Sequence, residues 1–189
     1  MTPAKRRAPA PRMGPATSAS DLHRTRGPRP VVCAVITVSD TRRGPADTAG
    51  AAIQSLLEQA GHRVVSREWV KDDVRAIRAA VKKALARPSV DAAILTGGTG
   101  AAARDVTPEA LQPLVDRWLP GFGELFRWRS LSTVGTAAWL SRAAAGIVRD
   151  RLVVLLPGSE PAVRQAVADV LLPELVHVIR LLGRFPSED

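Results

Sequence analysis

Short apolar segments alternate with segments of helical periodicity in the first half of the chain, and this alternation constrains the fold most strongly. Residues 31–38 are a short apolar run rich in β-branched residues, which indicates a buried strand, and residues 63–70 and 91–96 are expected to form the second and third strands. Between them, apolar residues recur at helical spacing from about Thr48 to Ala60 and again after Asp73. This strand–helix–strand–helix–strand order predicts an α/β fold, with a mostly parallel sheet that carries helices on both faces.

The second half of the chain is predicted to be mainly helical. Helices are expected over 108–115, 122–128, 135–143 and 161–182. A bend is expected at Pro173, because proline cannot donate a helical hydrogen bond. Residues 147–148 and 152–156 flank the polar segment 149–151, which indicates a hairpin that adds one antiparallel strand to the sheet.

Three polar or glycine-rich segments follow predicted strands, at the edge of a parallel sheet where ligands bind. Their candidate binding residues are Thr37, Ser39 and Asp40, then Thr96, Gly97, Gly98, Thr99 and Gly100, and finally Pro157, Gly158 and Ser159. Glycines in 96–100 would let backbone N–H groups approach a phosphate or carboxylate, although a tight strand-to-helix turn is an alternative. Segment 157–159 fits a second anion-binding nest or a helix entry equally well, and Asp40 fits a binding or a turn role.

Carboxylates that are predicted at the same edge of the sheet indicate a binding site for a metal ion. Asp105 lies just beyond the glycine segment, and Asp72 and Asp73 follow the second predicted strand. A carboxylate beside an anion-binding loop is expected when a cation joins the two, and Mg²⁺ commonly bridges phosphate oxygens and carboxylates. Helix capping is the alternative for these acids and explains one of the adjacent pair. The three histidines share no metal-ligand spacing, so no zinc site is predicted.

The charge pattern indicates three regions. Residues 1–29 hold seven basic residues and one acid, so most of the formal net charge of +9 belongs to a proline-rich leader that we expect to be disordered. Residues 30–184 form the single predicted domain, and residues 185–189 form a short tail. No aromatic residues interleave with the basic ones, so nucleic-acid binding is not expected. No apolar stretch reaches the roughly 20 residues of a membrane span.

Seven motifs occur in order along the predicted domain. They are TVSD at 37–40, DTAG at 47–50, TGGTG at 96–100, RDVTPEA at 104–110, GFGELFR at 121–127, SRAAAG at 141–146 and PGS at 157–159. Together they resemble the molybdopterin-binding family of molybdenum cofactor biosynthesis proteins, in particular its B-type branch. The resemblance covers nearly all of residues 31–182, and the leader has no counterpart in it.

The resemblance implies a three-layer α/β/α sandwich and a homo-oligomer, either a trimer or a dimer of trimers. It also implies a molybdopterin adenylyltransferase, which joins molybdopterin to AMP from Mg-ATP and releases pyrophosphate. The family's two essential aspartates match Asp72 and Asp105, with Asp73 as an alternative to Asp72. These residues would be catalytic and would hold Mg²⁺. Ser141 matches a serine linked with the molybdopterin site.

Two rival functions remain open at this point. Some family members lack the acids and do not adenylylate, so a protein that binds or carries molybdopterin without catalysis is the main alternative. A different nucleotide hydrolase on a similar sheet is the second. The sequence also leaves open whether molybdenum or tungsten is used downstream and whether the oligomer is a trimer or a hexamer. We expect a cytoplasmic enzyme with Mg²⁺ as cofactor and ATP and molybdopterin as substrates.

Overall fold

The computed structural model describes residues 29–185. Their strands are β1 (Val32–Val38), β2 (Arg63–Val70), β3 (Ala92–Thr96), β4 (Arg117–Trp118), β5 (Ala144–Val148) and β6 (Arg151–Leu156). Their α-helices are α1 (Thr48–Gln59), α2 (Val74–Leu85), α3 (Thr107–Leu111), α4 (Pro120–Val134), α5 (Glu160–Gln165) and α6 (Leu172–Leu181). Short 3-10 helices span Gly44–Ala46 and Gly135–Leu140, and a π-helical segment spans Ala166–Leu171. The predicted leader, apart from Arg29, and residues 186–189 of the predicted tail lie outside the described residues.

The strands form one mixed sheet in the order β2-β1-β3-β6-β5-β4. Strand β1 pairs in parallel with β2 and β3, β3 pairs in parallel with β6, and β5 is antiparallel to both of its neighbours. The prediction of a mostly parallel sheet with one antiparallel strand is therefore confirmed. The register aligns Thr37 with Thr96 and Thr96 with Leu156, so three consecutive strands of the sheet end at the same level.

Helices cover both faces of the sheet, as predicted. Alternate residues of β1 enter two hydrophobic clusters: Cys33 and Val35 pack with α1, α4, α5 and α6, whereas Ala34 and Ile36 pack with α2 and α3. Because side chains alternate across a strand and both faces are buried, the strand reads as a continuous apolar run. Full burial of one branched side chain such as Ile36 stabilises the fold by about 1.5–3 kcal/mol.

The second half of the chain departs from the prediction in several places. The helix expected over 135–143 is a 3-10 helix over Gly135–Leu140, and β5 begins at Ala144 instead of residue 147. The helix expected over 108–115 ends at Leu111, because Pro113 lacks the N–H that would continue it. Strand β4 was not predicted, since two residues are too few to show a period. The long last helix is interrupted by the π-helical segment just before Pro173. Because Pro173 has no N–H, the carbonyl of Asp169, four residues earlier, lacks its usual helical donor.

The described chain begins and ends beside one buried acid. Asp91 is wholly buried, accepts a hydrogen bond from the backbone N–H of Val32 at 2.9 Å, and forms ion pairs with Arg29 and Arg184. Phe185, which the sequence assigned to the short tail, packs in the hydrophobic cluster that contains α6. Within residues 29–185, no helix is long and apolar enough to cross a membrane.

Candidate active site

A cavity of about 1050 Å³ opens at the carboxyl ends of β1, β3 and β6. Twelve residues predicted from the sequence line it: Ser39, Asp40, Asp72, Gly97, Gly98, Thr99, Gly100, Asp105, Ser141, Pro157, Gly158 and Ser159. The strand register explains this meeting, because the loops that follow three aligned strands must emerge side by side. The structure therefore gathers the predicted segments into one site.

Thr37 and Thr96 do not line the cavity, contrary to the expectation that they contact a ligand. Both side chains are buried, and their hydroxyls already have partners inside the protein. Thr37 Oγ1 donates to Oδ2 of Asp47 at 2.8 Å, and Thr96 Oγ1 donates to the carbonyl of Pro157 at 2.6 Å. The role of these hydroxyls is structural, because they tie the rim of the sheet to α1 and to the 157–159 loop.

The glycines of the 97–100 loop are required by its conformation and its close contacts. Gly97 and Gly98 have φ of 103° and 64°, in the region that favours glycine. A Cβ on Gly97 would collide with the carbonyl of Val38, and a Cβ on Gly100 would come within 2.6 Å of Oδ2 of Asp105. The backbone of this loop therefore lies directly against Val38 and Asp105. The amide of Gly97 donates to the carbonyl of Leu156 at 3.0 Å, so the amides that can serve an anion are those of residues 98–100.

The structure separates the roles of the adjacent acids Asp72 and Asp73. Asp73 caps α2, where its Oδ1 accepts a hydrogen bond from Ala76 N at 2.8 Å, and it is not among the cavity-lining residues. Asp72 lines the cavity, and its Oδ1 accepts a hydrogen bond from Val106 N at 3.3 Å. Of the two alternatives left by the sequence, Asp72 is the acid that faces the site.

Asp72 shares the cavity with three other carboxylates, those of Asp40, Asp105 and Asp169. Burial raises the pKa of Asp72, and the negative charges of Asp105 and Asp40 raise it further, while the Val106 hydrogen bond and Arg104 act in the opposite direction. Asp105 is held by a hydrogen bond from Ala102 N to its Oδ2 at 3.1 Å. A cation between these groups would relieve their repulsion, and carboxylate oxygens are the ligands that Mg²⁺ prefers.

The protein supplies only part of a metal coordination sphere. Among residues 29–185 there is no group of three or more His, Cys, Asp or Glu side chains that could hold a metal ion. Mg²⁺ is usually bound by one or two carboxylates together with substrate phosphates and water. The pair Asp72 and Asp105 fits that mode, in which the remaining ligands come from a bound phosphate compound.

Sequence reasoning missed two arginines that line the cavity, Arg42 and Arg104. Arg42 Nη1 donates to the carbonyl of Gly158 at 2.7 Å, so this guanidinium lies beside the 157–159 loop. Both residues belong to polar loops that directly follow a predicted site segment, and that position is the signal that could have identified them. Two cations beside an amide-rich loop favour an anionic ligand.

One wall of the cavity is apolar. It is formed by residues of α4 and of the following 3-10 helix, namely Phe126, Val134, Ala137, Ala138 and Leu140. Ser141 follows this helix, and its Oγ accepts a hydrogen bond from Ala143 N at 3.3 Å. A cavity with an apolar wall facing carboxylates, arginines and backbone amides suits a ligand that joins a flat ring to phosphate.

A family model described as a probable molybdopterin binding domain matches residues 34–177, a span that includes every cavity-lining residue named above. That span is most of the chain. The chain belongs to this family. The match also covers both layers of helices that enclose the sheet.

Relatives are similar to this chain over nearly their full length. The molybdenum cofactor biosynthesis protein B of Halalkalibacterium halodurans is 45% identical over 161 residues, which are 85% of this chain and 95% of the relative. A solved structure of a molybdenum cofactor biosynthesis protein B is 43% identical with a TM-score of 0.81, covering 85% of this chain and 100% of that one. The tungsten cofactor synthesizing protein MoaB from Pyrococcus furiosus is 35% identical with a TM-score of 0.75, covering 82% and 99%.

Proposed function

We propose that this protein acts in molybdenum cofactor biosynthesis as a molybdopterin adenylyltransferase, which uses Mg-ATP and releases pyrophosphate. The observation that carries the proposal is the meeting of Asp72 and Asp105 with the 97–100 loop in one cavity. The match to a molybdopterin-binding family supports a pterin as one substrate. The similarity to relatives named molybdenum cofactor biosynthesis protein B supports a role in that pathway. A cavity of about 1050 Å³ lies at the upper end of the range for small-molecule sites, which is compatible with two substrates.

In the proposed reaction an oxygen of the molybdopterin phosphate attacks the α-phosphorus of ATP, and pyrophosphate leaves. Phosphoryl and nucleotidyl transfers of this kind depend mainly on positioning and on stabilising charge. The backbone amides of 98–100 hold phosphate oxygens, and Arg42 and Arg104, which also line the cavity, offset negative charge. Asp72 and Asp105 would hold Mg²⁺, which supplies a Lewis acid for the phosphate oxygens.

The apolar wall has a separate task in this proposal. Phe126, Val134 and Leu140 exclude water from one side of the cavity, where a flat ring can lie against them. Ser141 lies at the end of this wall and can contact the substrate from there. Ser39, Asp40 and Ser159 line the opposite loops, where polar groups of the substrates would be bound. Thr37 and Thr96 are excluded from this set because their hydroxyls bond within the protein.

The test is a turnover assay with the full-length protein, molybdopterin, ATP and Mg²⁺. We expect equimolar formation of adenylyl-molybdopterin and pyrophosphate, measured by chromatography with mass detection and by a coupled pyrophosphate assay. Molybdopterin binding without either product would contradict adenylylation and support the non-catalytic carrier. Release of inorganic phosphate from ATP without molybdopterin would support a nucleotide hydrolase instead.

A further inference from the structure

Arg142 donates to three backbone carbonyls around the site although it is not among the cavity-lining residues. Its backbone N–H donates to the carbonyl of Thr99 at 2.9 Å, and its Nε donates to the carbonyl of Gly100 at 2.9 Å. Its Nη2 donates to the carbonyl of Asp105, and its Nη1 forms an ion pair with Glu109 in α3. One side chain therefore connects the glycine loop, the carboxylate loop and the next helix.

The peptide group between Asp105 and Val106 is held from both sides. Its carbonyl oxygen accepts a hydrogen bond from Arg142, and its N–H donates to Oδ1 of Asp72 at 3.3 Å. The C=O and N–H of a trans peptide point in opposite directions, so the bond to Arg142 fixes the direction of the donor that Asp72 receives. Hydrogen bonding at the carbonyl also polarises the peptide and strengthens its N–H as a donor.

The same argument applies to the glycine loop. The carbonyls of Thr99 and Gly100 point toward Arg142, so the N–H groups of Gly100 and Ala101 point away from it. Arginine suits this position because its guanidinium presents several donors in a fixed plane, whereas the lysine ammonium is a single point on a flexible stem. The side chain can thus set the orientation of the peptide groups whose carbonyls belong to Gly100 and Asp105 without lining the cavity.

We propose that Arg142 is a positioning residue: it fixes the peptide groups of 99–106 so that Asp72 and Asp105 present their carboxylates to one divalent cation. The proposal rests on the proposed function, because that cation is the Mg²⁺ that accompanies ATP. It goes beyond that function by placing the control of the cation site on a residue outside the cavity. It also assigns a role to the residue next to Ser141 in the SRAAAG segment.

The experiment measures Mn²⁺ binding to the full-length protein in the presence of a non-hydrolysable α,β-methylene analogue of ATP. Free Mn²⁺ is followed by electron paramagnetic resonance, and Mn²⁺ is chosen because it shares the preference of Mg²⁺ for oxygen ligands. We expect Arg142→Gln to weaken Mn²⁺ binding at least about tenfold, which corresponds to about 1.4 kcal/mol. The matched control is Glu109→Gln, which removes the ion pair and keeps both carbonyl bonds, and it should change Mn²⁺ affinity less than about twofold.

Thermal unfolding of each variant separates positioning from stability. Mn²⁺ affinity equal to that of the parent protein in Arg142→Gln overturns the proposal, even if the melting temperature falls, because the arginine would then support only the fold. If Arg142→Gln does not fold, Mn²⁺ affinity is compared between Arg142→Lys and the parent protein instead. In that variant an affinity at least about threefold weaker supports the proposal and an unchanged affinity overturns it.

The readout also distinguishes this proposal from the proposed function. A parent protein that binds Mn²⁺ beside the analogue but forms no adenylyl-molybdopterin contradicts the catalytic function, while the comparison between Arg142 variants and parent still decides the positioning role. A parent protein that binds no Mn²⁺ beside the analogue overturns the positioning role directly. Weaker Mn²⁺ binding in Glu109→Gln equal to that in Arg142→Gln also overturns it, because the ion pair rather than the carbonyl bonds would then matter.

Discussion

Gly98 lies so close to Asp72 that a Cβ at position 98 would come within 2.8 Å of the Asp72 carboxylate oxygen Oδ1. The φ of Gly98 is 64°, so a side chain would also strain the backbone. We therefore expect Gly98→Ala to displace Asp72 and to lower the adenylylation rate about 100-fold, since small misplacements at a reacting centre cost about that much. The strain should also reduce the free energy of unfolding by about 1–2 kcal/mol.

Gly121→Ala is the control for that substitution, because a Cβ there would meet nothing within 4 Å. Steady-state rates and urea unfolding of the two variants make the comparison. A Gly98→Ala protein with the parent's rate would show that the contact with Asp72 does not matter for the reaction.

Removal of the Asp72 charge should stabilise the ligand-free protein. Because its pKa is raised in the folded state, the protonated form is favoured by folding, and that stability is lost as the pH rises through the raised pKa. The asparagine in Asp72→Asn would resemble the protonated form and can still accept the Val106 hydrogen bond. We expect the melting temperature of this variant to exceed the parent's at pH 7 and to converge with it toward pH 4. A lower melting temperature at pH 7 would contradict this account of the electrostatics.

Among the acids of residues 29–185, Asp91 is the one whose neutralisation should lower the free energy of unfolding most. It is wholly buried and pairs with Arg184, whose Nε lies 3.2 Å from Oδ1. Removing one partner of a buried pair leaves an uncompensated charge, so we expect Asp91→Asn to lower the free energy of unfolding by about 3 kcal/mol in chemical denaturation. Glu160→Gln, which breaks the exposed pair with Arg164, should lower the free energy of unfolding far less, because exposed ion pairs are screened by water. Equal losses of unfolding free energy in Asp91→Asn and Glu160→Gln would contradict the distinction between a buried and an exposed ion pair.

Exposed apolar residues on α4 and the following 3-10 helix should form the contact between copies of the chain. Trp128 is 64% exposed and Trp139 is 74% exposed, and Leu131 and Val134 lie between them in the sequence. An apolar surface of this kind typically marks an interface in a closed, symmetric oligomer, and the family resemblance implies a trimer. We expect light scattering to give a trimer or a hexamer, and the double substitution Leu131→Glu and Trp139→Glu to give monomers.

Leu181→Glu is the control for the oligomer. Leu181 is 73% exposed on α6, a different helix, and its replacement should leave the assembly intact. A monomeric parent protein at micromolar concentration would contradict the prediction.

Much of the fold could be predicted because local signals and tertiary structure agree in the first half of the chain. The bounds of β2 matched the prediction, and the helix expected from about Thr48 begins there, capped by Asp47, whose Oδ1 accepts a hydrogen bond from Gly50 N. The second half was harder because its elements are short or interrupted. Strand β4 has two residues, and the interruption before Pro173 is a π-helical segment rather than a simple bend.

The segments that form the site could be predicted from the sequence, but the direction in which each side chain points could not. Thr37 and Thr96 were placed at the rim correctly, but the last residues of strands point perpendicular to the sheet, and both hydroxyls are buried. The choice between Asp72 and Asp73 also needed coordinates, because a cap and a cavity residue can be neighbours in sequence. The side-chain contact of Arg142 with the carbonyl of Gly100 spans 42 residues of sequence, and no local pattern reveals it.

The central claim is that Asp72 and Asp105 serve one metal-dependent adenylylation. The most direct measurement is pyrophosphate release with saturating molybdopterin, ATP and Mg²⁺ by the parent, Asp72→Asn, Asp105→Asn and the capping control Asp73→Asn. The account predicts at least about a 100-fold loss in the first two variants, a strongly non-additive double variant, and a near-parental rate for Asp73→Asn, since asparagine also caps helices. Near-parental rates in both Asp72→Asn and Asp105→Asn would contradict it.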